Sequence, residues 1–440
     1  MTFRALCTLV FLTLTCPGAA EESSPAKENP DPSSRPNIIV IMADDMGYEC
    51  VGANGSDFYK TPHLDRLAAG GMRFEHAYSQ PLCTPSRVQI MTGRYNVRNY
   101  VKFGVLHPQE ITFGNMLKKA GYATCVVGKW QLQGGFEGPH QFGFDEYCLW
   151  QLTRRPTRYP NPGLEINGKQ VDYGNGEYGP DVVSDYLIDF LRRNKGGPFF
   201  AYYPMILPHW PFQPTPASAD WDPQETKEWP RKKWDRAHFR DMVHYTDKIV
   251  GKIDNALREL GIRDNTLLIF TADNGTATSI TSPFRGEKIK GGKGATTDAG
   301  THVPMIANWP STIAPGAVSQ DLIDFSDFVP TLAELGGARL PQDRPIDGRS
   351  FAAQLRGQPG KPRDWIYCWY SRPGGVTGRE FARNQRYKLY RSGEFYDIKN
   401  DRLEKRPSQP AALPAEARQA WALLQSALQQ FSKARPDNVF

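Results

Sequence analysis

Four continuous runs of apolar residues mark the first 270 positions of the chain. They lie at residues 37–42, 124–127, 199–203 and 266–270. Such runs are typical of strands that are buried on both faces of a parallel sheet. The segments between them place apolar residues every three or four positions, as amphipathic helices do. Strands that alternate with helices predict an α/β fold, with a large, mostly parallel or mixed central sheet flanked by helices.

The pattern changes near residue 345. Short runs rich in aromatic residues follow, at residues 365–370, 387–390 and 394–397. Short strands separated by turns predict a small antiparallel sheet, and residues 415–431 have the period of one amphipathic helix. We therefore expect a main α/β domain over residues 36–345 and a smaller C-terminal subdomain over residues 346–440.

The N-terminal residues have the pattern of a targeting segment. Arg4 precedes an apolar run over residues 5–15 and small residues at 17–20, which predicts a signal peptide over residues 1–20. That run is too short to span a bilayer, and no later apolar stretch is long enough. We expect an exported protein without a transmembrane segment, periplasmic or secreted, or lysosomal in a eukaryote. Residues 21–35 are polar and proline-rich, which predicts a disordered tether.

Charge and cysteine content narrow the possible functions only slightly. The formal net charge is +6, and so mild a basic excess suits an anionic substrate and equally well an ordinary mixed surface. No basic run is interleaved with aromatic residues, so we expect no nucleic-acid partner. Five cysteines follow the predicted signal peptide, at positions 50, 83, 125, 148 and 368. An odd number leaves at least one outside any set of disulfides, and the pairing of the others stays open.

Acidic residues cluster where two of the predicted strands end. Asp44 and Asp45 follow the first apolar run, and Asp273 and Asn274 follow the fourth. Ligands of open α/β sheets bind beyond the carboxyl ends of the strands. Three carboxylates and one amide oxygen from two such ends suit a hard cation such as Ca²⁺ or Mg²⁺. Taken singly, the same residues are also ordinary turn residues.

Residues 81–93 place a cysteine beside a predicted helix. Cys83 lies just before Pro85, which can begin a helix, and Arg87 follows. A helix start offers free N–H groups to an anion, and an arginine adds a charge-assisted donor. The residues alone therefore indicate an anion site with a thiol, or a buried inert cysteine.

The same segment resembles, at every position, the extended C-x-P-S-R pattern of the formylglycine-dependent (type I) sulfatases, which are arylsulfatase-like members of the alkaline phosphatase superfamily. Other motifs of that family are matched in the same order at residues 37–48, 121–130, 208–212, 271–275, 291–304 and 395–397. The resemblance covers about residues 36 to 405. It implies an alkaline-phosphatase-like fold, with the catalytic domain over residues 36–345.

The resemblance also implies a mechanism. A maturation enzyme converts Cys83 to Cα-formylglycine, whose hydrate attacks sulfur, and one Ca²⁺ or Mg²⁺ per chain binds beside it. The family's metal ligands match residue 83 itself together with Asp44, Asp45, Asp273 and Asn274. The residues that neutralise negative charge match Arg87, Lys129 and Lys293, and the one that protonates the leaving alcohol matches His209.

Two further positions differ from what is usual in the family. Gln131 stands where a histidine usually follows G-K-W. We include it among the catalytic residues, either as a hydrogen-bond donor or as a residue that only fills the space. A glutamine cannot take a proton near neutral pH, so the step that releases sulfate lacks its usual base. His302 stands where many relatives have arginine, and we expect either a substrate contact or a simple loop histidine.

The sequence thus predicts a sulfuric ester hydrolase. Loops at residues 150–178 and 221–234 are rich in aromatic and polar residues that suit a sugar-binding rim, so we expect a sulfated carbohydrate as substrate rather than a sulfated steroid or lipid. Two alternatives stay open. The same superfamily core hydrolyses phosphonates and phosphate diesters, and a chain whose Cys83 kept its thiol would bind sulfated glycans without turnover.

Overall fold

The central sheet of this computed structural model contains ten strands. The structure describes residues 1–2, 35–224, 236–409 and 413–437, so nearly all of the predicted signal peptide and tether lies outside the described residues. Strands β1 to β12 follow in chain order at Asn37–Ala43, Met72–Tyr78, Ala123–Lys129, Glu146–Trp150, Gly163–Ile166, Lys169–Asp172, Phe199–Pro204, Thr266–Ala272, Thr281–Phe284, Glu287–Lys290, Ile306–Asn308 and Ala317–Asp324. β9 and β10 pair only with each other, and the other ten have the order β12-β2-β11-β8-β1-β7-β3-β4-β5-β6.

Five parallel strands form the middle of this sheet. β8, β1, β7, β3 and β4 are neighbours and all parallel, so their carboxyl ends lie along one edge. Every residue of β1 and β8 is buried, which explains their uninterrupted apolar runs. Antiparallel strands extend the sheet on both sides. The predicted mixed α/β sheet is therefore confirmed.

Helices cover both the sheet and its loops. Helices α1 to α11 follow in chain order at Pro62–Ala69, Cys83–Thr92, Asn96–Asn99, Phe113–Lys119, Gly138–Gln141, Gly179–Asn194, Ala237–Glu259, Asp298–Thr301, Phe328–Gly336, Ala352–Leu355 and Ala415–Gln430. The longest, α7, buries an apolar stripe that includes Phe239, Met242, Val250 and Leu257. Burial of each such side chain contributes about 1.5–3 kcal/mol. None of the described helices is both long and apolar enough to cross a membrane.

A second, smaller sheet follows the main one. Its four antiparallel strands, β13 to β16, lie at Ile366–Tyr370, Arg379–Arg383, Tyr387–Tyr390 and Phe395–Asp397. Helix α11 packs against β14 and β15. One continuous apolar core includes residues of both sheets. The predicted C-terminal sheet and helix are confirmed, while the domain boundary near residue 345 stays a prediction.

Candidate active site

The acidic residues lie side by side at the carboxyl edge of the parallel strands. β1 and β8 pair in register up to Ala43 and Ala272, so the residues that follow these two strands are neighbours. They are fully buried: Asp44, Asp45, Asp273 and Asn274. The Asn274 amide donates a hydrogen bond to Asp45 Oδ1 (2.8 Å), and the backbone N–H of Asp45 donates one to Asp273 Oδ1 (3.1 Å). The structure thus brings together the four acidic and amide residues that the resemblance matched to metal ligands.

Cys83 is the first residue of helix α2 and adjoins these carboxylates. Its Sγ and one oxygen each of Asp44 and Asp273 all lie within 4.8 Å of one another. The helix begins two residues before Pro85, so the cysteine lies inside the first turn. The sequence had suggested that it lies ahead of the helix. The Ser86 hydroxyl donates to the Asp273 carbonyl oxygen (2.5 Å) and so fixes the helix start against the loop after β8.

Three basic side chains contact the acidic cluster. Lys129 Nζ lies 2.6 Å from Asp44 Oδ2, and Lys293 Nζ lies 2.6 Å from Asp45 Oδ2. Arg87 reaches Asp273 Oδ2 at 3.4 Å, and it also donates to the carbonyl oxygen of Lys129 at 2.7 Å. Residues from α2, β3 and the loop after β10 therefore converge on the same cluster, in the arrangement expected for neutralising an anion.

Burial sets the electrostatics of the carboxylates. Burial and the neighbouring Asp44 raise the pKa of Asp273 to about 8. Burial also raises the pKa of Asp45, although Lys293 opposes this. Burial would raise the pKa of Asp44 as well, but Lys129 and the cations around it hold that pKa well below its ordinary value. A divalent cation would stabilise the ionised form of all three carboxylates.

The donor atoms of the cluster fit a hard metal ion. Asp44 Oδ1 and Asn274 Oδ1 are buried, and neither has a hydrogen-bond partner among the described residues. A buried polar atom without a partner is costly, so these two oxygens call for a ligand. Carboxylate and amide oxygens are the ligands of Ca²⁺ and Mg²⁺ in proteins. The residues present therefore fit the metal ion that the resemblance implies.

His209 lies at the border of the cluster. Its Nε2 is 3.7 Å from Asp45 Oδ2, and its Nδ1 is 3.2 Å from Arg158 Nη1. Burial, together with the nearby Lys293, lowers the pKa of His209 well below its ordinary value. Arg158 is not among the residues predicted from the sequence, because an arginine in a proline-rich loop gives no motif.

Gln131 and His302 have different surroundings. Gln131 follows β3 in a left-handed conformation (φ 58°), and its buried Oε1 has no hydrogen-bond partner among the described residues. The His302 ring stacks between Tyr48 and Tyr78, with centroids 4.1 and 5.0 Å away, and its Nε2 contacts the carbonyl oxygen of Glu75 at 2.9 Å. These contacts belong to side-chain packing, so they favour the simple loop histidine over the substrate contact.

The first of the two loops expected to form a sugar-binding rim has three of its four aromatic residues buried, while Tyr173 is half-buried. Trp150, Tyr159 and Tyr178 are buried and cannot present a rim to a sugar. The second loop lies mostly outside the described residues. An exposed aromatic residue lies elsewhere, at Trp210, in a cleft of about 420 Å³ that Lys293 also lines. The five cysteines that follow the predicted signal peptide are all buried and all unpaired.

Comparisons with known proteins agree with this geometry. Residues 36–338 match the family model described as sulfatase, and residues 292–422 match that of the C-terminal part of N-sulphoglucosamine sulphohydrolase. Arylsulfatase A of Homo sapiens is 33% identical over 396 residues, which cover 81% of this chain and 74% of that protein. N-acetylgalactosamine-6-sulfatase of Mus musculus is 34% identical over 361 residues, which cover 73% and 67%. The solved structure of Ps i-CgsB has a TM-score of 0.77 at 28% identity and covers 92% of this chain and 94% of its own.

The chain belongs to the sulfatase family, with the alkaline-phosphatase-like fold. It is an enzyme that hydrolyses sulfate esters, as the sequence predicted. The family in general uses a metal ion and a formylglycine, and the acidic cluster beside Cys83 is where this chain can hold the ion.

Proposed function

We propose that this sulfatase removes sulfate from a carbohydrate and that residue 83 carries its nucleophile. The observation that carries the proposal is the position of Cys83, in the first turn of α2 and within 4.8 Å of oxygens of Asp44 and Asp273. An unmodified thiol at that position lacks the second hydroxyl through which sulfate would be released. A formylglycine hydrate there supplies an oxygen nucleophile, and a second hydroxyl whose deprotonation re-forms the aldehyde and releases sulfate.

The acidic cluster would hold the metal ion. Asp44, Asp45, Asp273 and Asn274 provide its ligand oxygens, with residue 83 beside them. When bound, a Ca²⁺ or Mg²⁺ ion acidifies a hydroxyl and polarises a sulfuryl oxygen. Nothing in the donor set separates the two ions, because both prefer oxygen ligands.

The chain's own side chains carry the remaining roles. Arg87, Lys129 and Lys293 surround the cluster and stabilise the negative charge of the sulfuryl oxygens. His209 presents Nε2 to the cluster and donates its proton toward the leaving oxygen. Gln131 follows Lys129 by two positions and can hydrogen-bond the nucleophile but not deprotonate it.

A carbohydrate substrate is supported by the cleft beside Lys293. Trp210 is 37% exposed there, and Phe212, Thr278 and Ser279 also line the cleft. An exposed aromatic ring suits the apolar face of a sugar, and hydroxyl groups suit its polar edge. Among the relatives, N-acetylgalactosamine-6-sulfatase is named for a sugar, and Ps i-CgsB was solved in complex with k-i-k-neocarrahexaose at 28% identity.

Two measurements test the proposal. The full chain is expressed together with a formylglycine-generating enzyme, and the peptide around residue 83 is weighed by mass spectrometry. We expect a mass about 18 Da below that of the cysteine form. The same preparation is then given defined sulfated oligosaccharides and paired nitrophenyl sulfate, phosphate and phosphonate, with Cys83→Ala as control. An unmodified Cys83 would favour a non-catalytic glycan binder, and a preference for the phosphonate would contradict the sulfate-ester assignment of the site.

Export is a further part of the proposal. It rests on the sequence of residues 1–20 and agrees with the lack of a membrane-spanning helix among the described helices. N-terminal sequencing of the protein from a homologous secretion host should give a mature chain that begins near residue 21. A mature protein that keeps residues 1–20 would contradict it.

A further inference from the structure

Two exposed cations outside the acidic cluster lie beside an aromatic ring. Lys102 and Arg372 are exposed, and the Arg372 guanidinium carbon is 5.2 Å from the ring centroid of the half-buried Phe103. We call these three residues the basic patch. Neither cation forms an ion pair with any residue that the structure describes, whereas the exposed Arg193 binds Glu146. The basic patch is therefore available to an anion from outside the chain.

The backbone connects the basic patch to the helix that begins at Cys83. The N–H of Gly104 donates to the hydroxyl oxygen of Thr84 at 3.1 Å, one residue after Cys83. The N–H of Phe103 donates to the carbonyl oxygen of Arg372 at 3.1 Å. Arg372 belongs to the turn that joins β13 to β14. The C-terminal sheet and the first turn of α2 therefore meet at the basic patch.

Further contacts hold the backbone of the basic patch in place. The Tyr100 hydroxyl donates to the carbonyl oxygen of Arg372 at 3.0 Å. The Arg435 guanidinium donates to the carbonyl oxygens of Tyr100 (2.8 Å) and Gly375 (2.9 Å). Its carbon lies 4.2 Å from the ring centroid of Trp369. Because the main chain around both cations is already held, a ligand has to order only their two side chains, which favours binding.

The surroundings of Tyr370 show that the basic patch is close to the reacting residue. Burial raises the pKa of Tyr370, and the charges that act on its hydroxyl include Arg372, Cys83 and Lys293. Interactions between charges weaken with distance, so this hydroxyl lies near the basic patch and near Cys83. Lys293 also lines the cleft that contains Trp210. A substrate whose sulfate lies at Lys293 therefore has the basic patch within reach of its other substituents.

We propose that the basic patch binds a second anionic group of the substrate, a carboxylate or a further sulfate, on the same glycan as the sulfate that is removed. This inference rests on the proposed function and narrows its substrate to polyanionic carbohydrates. The planar guanidinium of Arg372 can donate two parallel hydrogen bonds to either anion, and the ring of Phe103 orients it. Lys102 adds a second positive charge as a single ammonium group.

Matched substrates test the proposal by turnover. Defined sulfated oligosaccharides are each prepared in three forms: with a free uronate carboxylate, with its neutral methyl ester, and with the methyl ester and a second sulfate. We expect kcat/KM of the unsubstituted enzyme to be about tenfold higher for a charged form than for the neutral one. Which charged form is preferred distinguishes a carboxylate site from a sulfate site. Equal kcat/KM for all three forms would overturn the proposal.

Substitutions assign the preference to the basic patch. In Arg372→Gln the preference for the charged form should disappear, and in Lys102→Gln it should shrink by less, because a lysine donates from a single point charge. Arg379 of β14 is the matched control: it too is exposed, and its guanidinium carbon lies 4.5 Å from the Tyr390 ring centroid. Arg379→Gln should keep the preference. An equal loss for charged and neutral forms in Arg372→Gln would indicate a merely structural role and overturn the proposal.

A binding measurement tests the basic patch without turnover. The full chain with Cys83→Ala is titrated with the same oligosaccharides by calorimetry at low and at high salt. We expect a charged form to bind about tenfold more tightly than the neutral one, and the difference to shrink as salt screens the charges. Adding Arg372→Gln should remove the difference. Equal affinity of all forms, or no binding of any, would overturn the inference, whereas selective binding without turnover in the unsubstituted enzyme would contradict only the proposed function.

Discussion

Three residues at the carboxyl edge of the sheet have left-handed backbone conformations that their types rarely adopt. Asp45, Gln131 and Gln151 have φ angles of 68°, 58° and 61°. Each such residue costs on the order of 1–3 kcal/mol and persists only when the surrounding structure fixes it. All three directly follow, or lie within two residues of, strands of the parallel block. Backbone strain is thus concentrated around the acidic cluster and around Gln131, the residue that replaces the family's usual histidine.

Replacing Gln131 with histidine supplies a side chain that can take a proton near neutral pH. We expect Gln131→His to speed sulfate release and raise kcat at least about tenfold, because general bases contribute that much or more. Rapid mixing with 4-nitrophenyl sulfate measures it: the unsubstituted enzyme should show a burst of nitrophenol that the variant lacks. Gln131→Asn, with an amide of the same kind, should keep the burst. A variant with the burst of the parent would contradict the prediction.

Metal binding should depend on pH through Asp273. Without a cation the pKa of this carboxyl is raised to about 8, so below that pH it carries a proton that the ion must displace. Apparent Ca²⁺ affinity should therefore rise with pH by up to about tenfold per unit and level off above pH 8. Titration calorimetry in buffers of different ionisation enthalpy would count the released proton. Asp273→Asn should bind more weakly and without this dependence, and a flat profile in the parent chain would refute it.

Strands with a long uninterrupted apolar run could be predicted from the sequence, and strands without one could not, β4 included, although four of its five residues are buried. β1 and β8 have continuous apolar runs because the side chains on both of their faces are buried. β6 and β12 were missed because their exposed positions interrupt the pattern. The acidic cluster could be predicted because its residues directly follow buried strands. Arg158 could not, because its contact with His209 joins loops 51 positions apart.

The approach of β3 to β7 requires a glycine. Gly128 has φ 105°, and a Cβ there would lie 2.1 Å from the carbonyl oxygen of Pro204. We expect Gly128→Ala to cost about 3 kcal/mol or more of unfolding free energy and to reduce activity, since Lys129 is the next residue. Urea denaturation measures it. Gly168→Ala is the control, because φ is also positive (85°) but no atom lies within 4 Å, and about 1 kcal/mol is expected. Equal losses would show that the close approach is unimportant.

Aromatic contacts join the C-terminal sheet and its helix to the segment after α2, so the molecule should unfold as one unit. The Phe431 ring stacks on Tyr367 of β13 at 4.2 Å and meets Tyr95, which follows α2, at 5.2 Å. We expect Phe431→Ala to cost about 3–5 kcal/mol within a single transition. Heating tests this: the loss of circular dichroism and the loss of activity should occur at the same temperature. Leu423→Ala, on the exposed side of α11, should change little. Two separate transitions would show that residues 346–440 unfold independently.

The burial of Cys83 determines whether its modification must come before or after folding. Only 2% of this residue is exposed, inside the first turn of a fully buried helix. An enzyme that modifies a side chain must enclose it, and it cannot do so once α2 has packed. If Cys83 is modified as proposed, modification and folding are in kinetic competition, and a molecule that folds first keeps its thiol for as long as it stays folded. Specific activity would then report the fraction of chains that were modified before folding, and refolding of unmodified protein in the absence of the modifying enzyme would not raise it.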